Sequence, residues 1–167
     1  STTYFYVRSY FQVFVLQGIV IFLVSLPVVL TNLYGVLGYD WCAYVGIAIW
    51  FVGFLFEAIA DFQLDCFIQN PENKGKLCTV GFWKFSRHPN YFGESLMWWG
   101  LGISAAGVLP TGTLALCAFI SPVLITYLLL YVSGIPMLEA QMKSKPGWEE
   151  YARKTNAFIP WFPKREV

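Results

Sequence analysis

Charge is what this 167-residue chain has least of: only 13% of its residues are Asp, Glu, Lys or Arg, and His88 is its single histidine. A soluble globular domain carries about 25% charged residues, so a soluble globule is excluded. Zinc centres need several Cys and His ligands at short spacing. With one histidine, and with Cys42, Cys66, Cys78 and Cys117 scattered without a CxxC pair, neither a metal site nor a redox dithiol is indicated. Cys66 and Cys78 are close enough in sequence for a disulfide, but the reducing side on which they are expected makes free thiols the simpler state. Eleven basic residues are matched by ten acidic ones and spread along the chain, which excludes the basic footprint of a nucleic-acid binder. No internal repeat and no low-complexity tract is present.

What the chain does have is apolar length: 57% of its residues are hydrophobic and 19% aromatic. Four runs, residues 10–31, 41–60, 91–109 and 113–133, approach the ~20 residues that cross ~30 Å of hydrocarbon as helix. They predict an all-α, polytopic membrane bundle of about four transmembrane helices in one domain, residues 1–167. Gln12, Gln17 and Pro27 in the first run point to helix packing rather than to a substrate role. Four spans put both termini and the long central loop on one side, with all eleven basic residues: Arg8, then Lys74, Lys76, Lys84 and Arg87, then Lys143, Lys145, Arg153, Lys154, Lys164 and Arg165. The opposite loops, 32–40 and 110–112, have none. By the positive-inside tendency the basic side is cytosolic or matrix, as in the endoplasmic reticulum or the inner mitochondrial membrane.

The second run ends in acids. Glu57, Asp61 and Asp65 recur every four residues and stack on one face if the helix continues that far. Carboxylates so placed repel and need cations, hydrogen bonds or water. The loop that follows is broken by Pro71 and Gly75 and carries Phe82, Trp83 and Phe85, which predicts a folded cap dipping into the interface. After the last span an amphipathic piece carries Glu139, Glu149, Glu150 and Tyr151, is interrupted at Pro146 and Gly147, and is long enough to fold back over that loop.

At the mouth of the third run stands WKFSRHPNYFGESLMWWG, residues 83–100. Pro89 suits the first helical position, and the helix start that follows is an expected anion site. Lys84 and Arg87 stand before it, and an arginine fork there can grip a phosphate for ~1.5–3 kcal/mol. Glu94, one turn in, needs Arg87, a ligand hydroxyl or water as partner. Each residue alone has a plainer reading: lipid headgroups for Lys84 and Arg87, an interfacial packing role for His88, Tyr91, Trp98 and Trp99. Their density at one helix mouth favours a site.

GFWKFSRHPNYFGESLMWWG, with EAIADFQLDCF and PENKGK upstream and SGIPMLEAQM and YARKTNAFIPW downstream, resembles the domain-of-unknown-function branch of the steroid 5-alpha-reductase-like membrane proteins. The superfamily includes sterol reductases and isoprenylcysteine carboxyl methyltransferases. The resemblance implies a helical bundle holding NADPH or S-adenosylmethionine at the cytosolic face, with cofactor contacts at Asp61, Arg87, His88, Asn90, Tyr91, Glu94 and Tyr151. NADPH phosphates ask for several cations, and Lys76, Lys84 and Arg87 are at hand. The expected function is an NADPH-dependent reductase of a lipophilic enone or alkene, with Tyr91 or Glu57 as proton donor. The alternatives are S-adenosylmethionine-dependent methyl transfer and a non-catalytic, cofactor-free subunit of a large membrane assembly. Membrane lipids, a lipophilic substrate and other membrane subunits are the expected partners.

Overall fold

The computed structural model describes residues 2–36 and 40–164. Arg165 of the basic face and residues 37–39 of the first opposite-side loop lie outside the described residues. The architecture is all-helical, with α1 (Tyr4–Tyr34), α2 (Trp41–Gln69), α3 (Pro89–Ala106), α4 (Gly112–Met142) and a short α5 (Trp148–Lys154). Among the described residues the only β-type pairing is an isolated bridge between Ser86 and Asn156.

Three helices, α1, α2 and α4, are long and apolar enough to cross a membrane. The expected third span forms α3, which has 18 residues and carries Asn90, Glu94, Ser95 and three glycines, so it is shorter and less apolar than the others. It is not left to lipid alone, because it lies tightly along α2. A Cβ on Gly93 would fall 2.5 Å from the Glu57 backbone nitrogen, and one on Gly100 would fall 2.5 Å from that of Trp50. Facing them, Gly53 is equally closed by Gly93 and Met97. Small residues let the backbones approach where lipid offers no hydrophobic drive to association. Close dispersion contact replaces it.

The long helices exceed the expected runs, α1 and α4 at both ends and α2 at its C-terminal end. At 1.5 Å per residue, the 29 residues of α2 reach about 43 Å, roughly 13 Å more than the hydrocarbon core. Asp40 caps its start by accepting from the Trp41 N–H at 2.7 Å, and its last turns emerge with Asp65 and Gln69 joined at 2.7 Å. A π-helical stretch, Tyr10–Val15, interrupts α1, and a second, Leu128–Val132, precedes the break at Gly134 in α4. On the side away from the cap, the two short connections meet where the Val36 N–H donates to the Val108 carbonyl at 2.9 Å. All four cysteines are free thiols, and burial pushes the Cys78 thiol up from its ordinary value.

The cap is assembled from residues 70–88 and 143–164. Its folding follows from polar side chains that reach the ends of α2. Gln63 Oε1 accepts the Phe82 N–H at 2.8 Å, and the buried Trp83 indole donates to the Ala60 carbonyl at 2.9 Å. The expected fold-back of the tail is present. The Arg87 N–H donates to the Asn156 carbonyl and the Trp161 N–H to the Phe85 carbonyl, both at 2.9 Å. Ser86 Oγ, fully buried, donates to the Phe158 carbonyl at 2.8 Å. A helix-to-tail strap of this kind leaves few backbone groups of the cap unpaired.

Candidate functional site

Most of the residues singled out in the sequence fall into three groups. The first is a clamp in the cap. Arg87 Nε donates to Glu139 Oε1 at 2.8 Å, its Nη1 donates to the Ala152 carbonyl at 2.8 Å and to the Thr155 carbonyl, and its guanidinium lies 5.5 Å from the Trp148 ring centroid. The side chain is only 11% exposed. Glu139, at the end of α4, also faces His88 Nε2 at 3.4 Å. His88 is 1% exposed, and burial holds it below the ordinary histidine value although the Glu139 carboxylate pulls the other way. The Tyr151 hydroxyl donates to the Trp83 carbonyl at 2.6 Å, and burial pushes its ionisation far above that of a free phenol. Arg87 is therefore a fork already engaged, with one carboxylate, two carbonyls and a ring. It does not turn toward Glu94, which the sequence had offered as its partner.

The second group lies on the α2–α3 seam. Asn90 Nδ2 donates to Asp61 Oδ1 at 3.0 Å, and Glu57, Asp61 and Glu94 are close enough to interact electrostatically. Among the described residues no cation pairs with any of the three. Glu57 Oε2 and Asn90 Oδ1 are buried without a hydrogen-bond partner. In a membrane helix such polar groups are expensive, and a buried acceptor left unmatched costs ~1–3 kcal/mol. The two groups are joined by one contact: the His88 ring stacks on Tyr91, centroids 5.6 Å apart and nearly parallel at 10°.

The third is a cavity of about 670 Å³ that shares Arg87 and Tyr151 with the clamp. Its rim carries Lys74, Lys76, Lys145 and Arg87, its floor Phe67, Ile68 and Met142, and no carboxylate lines it. Lys145 Nζ reaches across toward the Lys76 carbonyl at 3.5 Å. Among the described residues no ion pair engages the three lysines. Leu64, one turn beyond Asp61 on α2, also lines the cavity, so the helix leads from the carboxylates into it. Lys84 stands elsewhere, in a groove with Glu150, Tyr151 and Lys154, where Lys154 and Glu150 already pair at 2.6 Å.

Of the residues proposed from sequence, then, Asp61, Asn90, Tyr91, Glu94 and Glu57 come together on the seam. Arg87, His88 and Tyr151 form the clamp, Lys76 belongs to the cavity, and Lys84 joins none of these. Lys74 and Lys145 escaped notice, counted only as part of a basic face. Trp148, which packs on Arg87, gave no signal beyond being aromatic near a helix. Among the described residues no cluster of metal-ligating side chains is present.

Comparison with known proteins adds a family and one relative. A probable O-methyltransferase, ustE of Ustilaginoidea virens, is 34% identical over 64 residues, which is 38% of this chain. The chain spans 22% of the length of that relative. No solved structure matches. The family described as "Protein of unknown function (DUF1295)" matches residues 1–155, nearly the whole of the chain with the seam, the clamp and the cavity included. The chain therefore belongs to the DUF1295 family, within the steroid 5-alpha-reductase-like superfamily of membrane proteins.

Proposed function

We propose that the protein is a membrane-bound, NADPH-dependent reductase of a lipophilic, electron-poor alkene. The observation that carries this reading is a cation-lined cavity bordered by the same helix, α2, that carries the unpaired carboxylates Glu57 and Asp61 of the seam. Its volume is within the ~300–1,000 Å³ usual for ligand pockets. Lys74, Lys76 and Lys145 have no ion-pair partner among the described residues, so they are the cations that phosphates would find, while Arg87 contributes from an edge already held by Glu139. S-adenosylmethionine has no phosphate to use them.

NADPH, when bound, supplies a hydride to an electron-poor carbon. The chain's own part is to hold and to protonate. The three lysines bind the phosphates. Asp61, fixed by Asn90, accepts from ribose hydroxyls, and the unmatched Asn90 Oδ1 and Glu57 Oε2 accept from donors that the folded chain does not provide. From Ile68 to Glu57 the α2 axis rises about 16 Å, so one elongated ligand can touch cavity and seam together. Glu57 or the Tyr91 hydroxyl delivers the proton to the carbon beside the one reduced. The substrate reaches the seam from the bilayer, because Glu57 lies in α2, which is long and apolar enough to cross it.

A methyltransferase reading is favoured by the similarity to the probable O-methyltransferase, and by carboxylates without cations, which suit a sulfonium charge. Titration of the purified protein in nanodiscs with each cofactor separates the two. NADPH is expected to bind, and Lys76→Ala/Lys145→Ala to weaken it at least tenfold, since a charge-assisted contact contributes ~1.5–3 kcal/mol. Tighter binding of S-adenosylmethionine, indifferent to both lysines, would overturn the reductase assignment.

A further inference from the structure

We propose that residues 159–162, together with Phe82 and Phe85, form an aromatic foot that lies in the lipid interface and holds the cap against the bilayer. Ile159, Trp161 and Phe162 are 60%, 66% and 74% exposed, yet the segment is not loosely attached. The Trp161 N–H donates to the Phe85 carbonyl at 2.9 Å, the Phe85 and Phe162 rings meet edge to face at 5.8 Å, and the Phe158 ring meets Phe92 of α3 at 5.7 Å. Three large apolar side chains are thus held outward by a hydrogen-bonded strap and left largely uncovered by the described residues.

The height of the foot follows from a chain of contacts. Phe56 belongs to α2, and if hydrocarbon covers the first ~20 residues of that helix, Phe56 sits about 6 Å inside the core's edge. Phe82 stacks on Phe56 at 4.7 Å. Phe56, Phe82, Phe85, Pro160, Trp161 and Phe162 then line a pocket of about 300 Å³ that is almost wholly apolar. Trp161 and Phe162 are therefore level with the boundary between acyl chains and headgroups. The surface continues the lipid-facing side of α2, where Leu55 and Ile59 are exposed. Tryptophan is enriched at that depth, and Lys84 and Lys164, flanking the aromatic stretches, suit phosphate headgroups above it. The occupant of the pocket is the upper part of a phospholipid acyl chain. A second surface contact, besides the helices, keeps the cation-rimmed cavity at a fixed distance from the membrane.

The test reads the Trp161 fluorescence as the difference between wild type and Trp161→Phe, reconstituted in phosphatidylcholine vesicles. Lipids brominated near the glycerol end of the acyl chain are expected to quench that component more than twofold, and aqueous iodide to leave it unchanged. Quenching by iodide alone, or by neither agent, would overturn the proposal. If Trp161→Phe fails to fold, a nitroxide at Phe162→Cys in a Cys42→Ser/Cys66→Ser background replaces it. Oxygen accessibility above that of a water-soluble nickel complex supports the foot, and the reverse order refutes it.

Discussion

Glu139 and Glu94 are both carboxylates near the cap-side end of a helix in the same small bundle, and they live differently. Glu139 meets Arg87 at 2.8 Å and His88 at 3.4 Å. Glu94 has Glu57 and Asp61 for neighbours, and no cation pairs with it among the described residues. The clamp has its charges satisfied and ties three parts of the chain together. The seam leaves charges and acceptors unmatched at a place where that is costly. A fold that retains the second arrangement beside the first gains nothing in stability from it, so the seam is the better place to look for a ligand.

Breaking the clamp should therefore cost stability, and neutralising a seam carboxylate should not. The largest effect is expected for Arg87→Ala, which leaves Glu139 in a mostly buried place with only a neutral histidine, a loss of ~3–5 kcal/mol for a broken buried pair. Hydrogen exchange of the amides in residues 148–158 should rise to the level of local unfolding, while α2 amides stay protected. Glu94→Gln, in contrast, should leave thermal stability within ~0.5 kcal/mol or raise it, since a repelling carboxylate is removed. Gly93→Ala comes next, at ~1–3 kcal/mol, because its Cβ would fall against the α2 backbone, which cannot give way as a flexible side chain can. A loss of thermal stability with the secondary structure retained would check it. Tyr151→Phe removes the donor to the Trp83 carbonyl and should cost about 1 kcal/mol in the same measurement.

The smallest effect is one of pH. The folded His88 has its pKa below the unfolded value of ~6.5, so its contribution is complete above that pH. As pH falls below ~6.5 the unfolded chain takes up a proton that the buried ring resists, and stability is lost until the folded pKa is passed. His88→Gln should flatten that part of the stability profile. An unchanged profile would mean that His88 protonates as easily folded as unfolded.

Much of this architecture was legible in apolar length. Helices follow from runs that must satisfy their own backbone in lipid, and Pro89 marked the start of α3 because proline fits a first turn. The fold-back of the tail was legible in its length and its prolines. The partner of Arg87 was not. Arg87 and Glu139 are separated by α3 and most of α4, and only the packing of helices decides which of ten acids an arginine meets. The same holds for Lys74 and Lys145, which become a cavity rim only when the loop after α2 lies beside the end of α4. The near contact of α2 and α3 was partly hidden as well, since glycines at 46, 53 and 100 read as scattered small residues until the two helices are laid together.

The central claim is that cations left unpaired by the fold, rather than the arginine it has engaged, receive the cofactor's phosphates. A cryo-EM map of the protein in nanodiscs saturated with NADPH tests this most directly. Phosphate density between Lys76 and Lys145, with the nicotinamide end near Glu57 and Glu94, is the predicted result. A cavity that stays empty at saturation, or a nucleotide bound with Arg87 pulled away from Glu139, would contradict it.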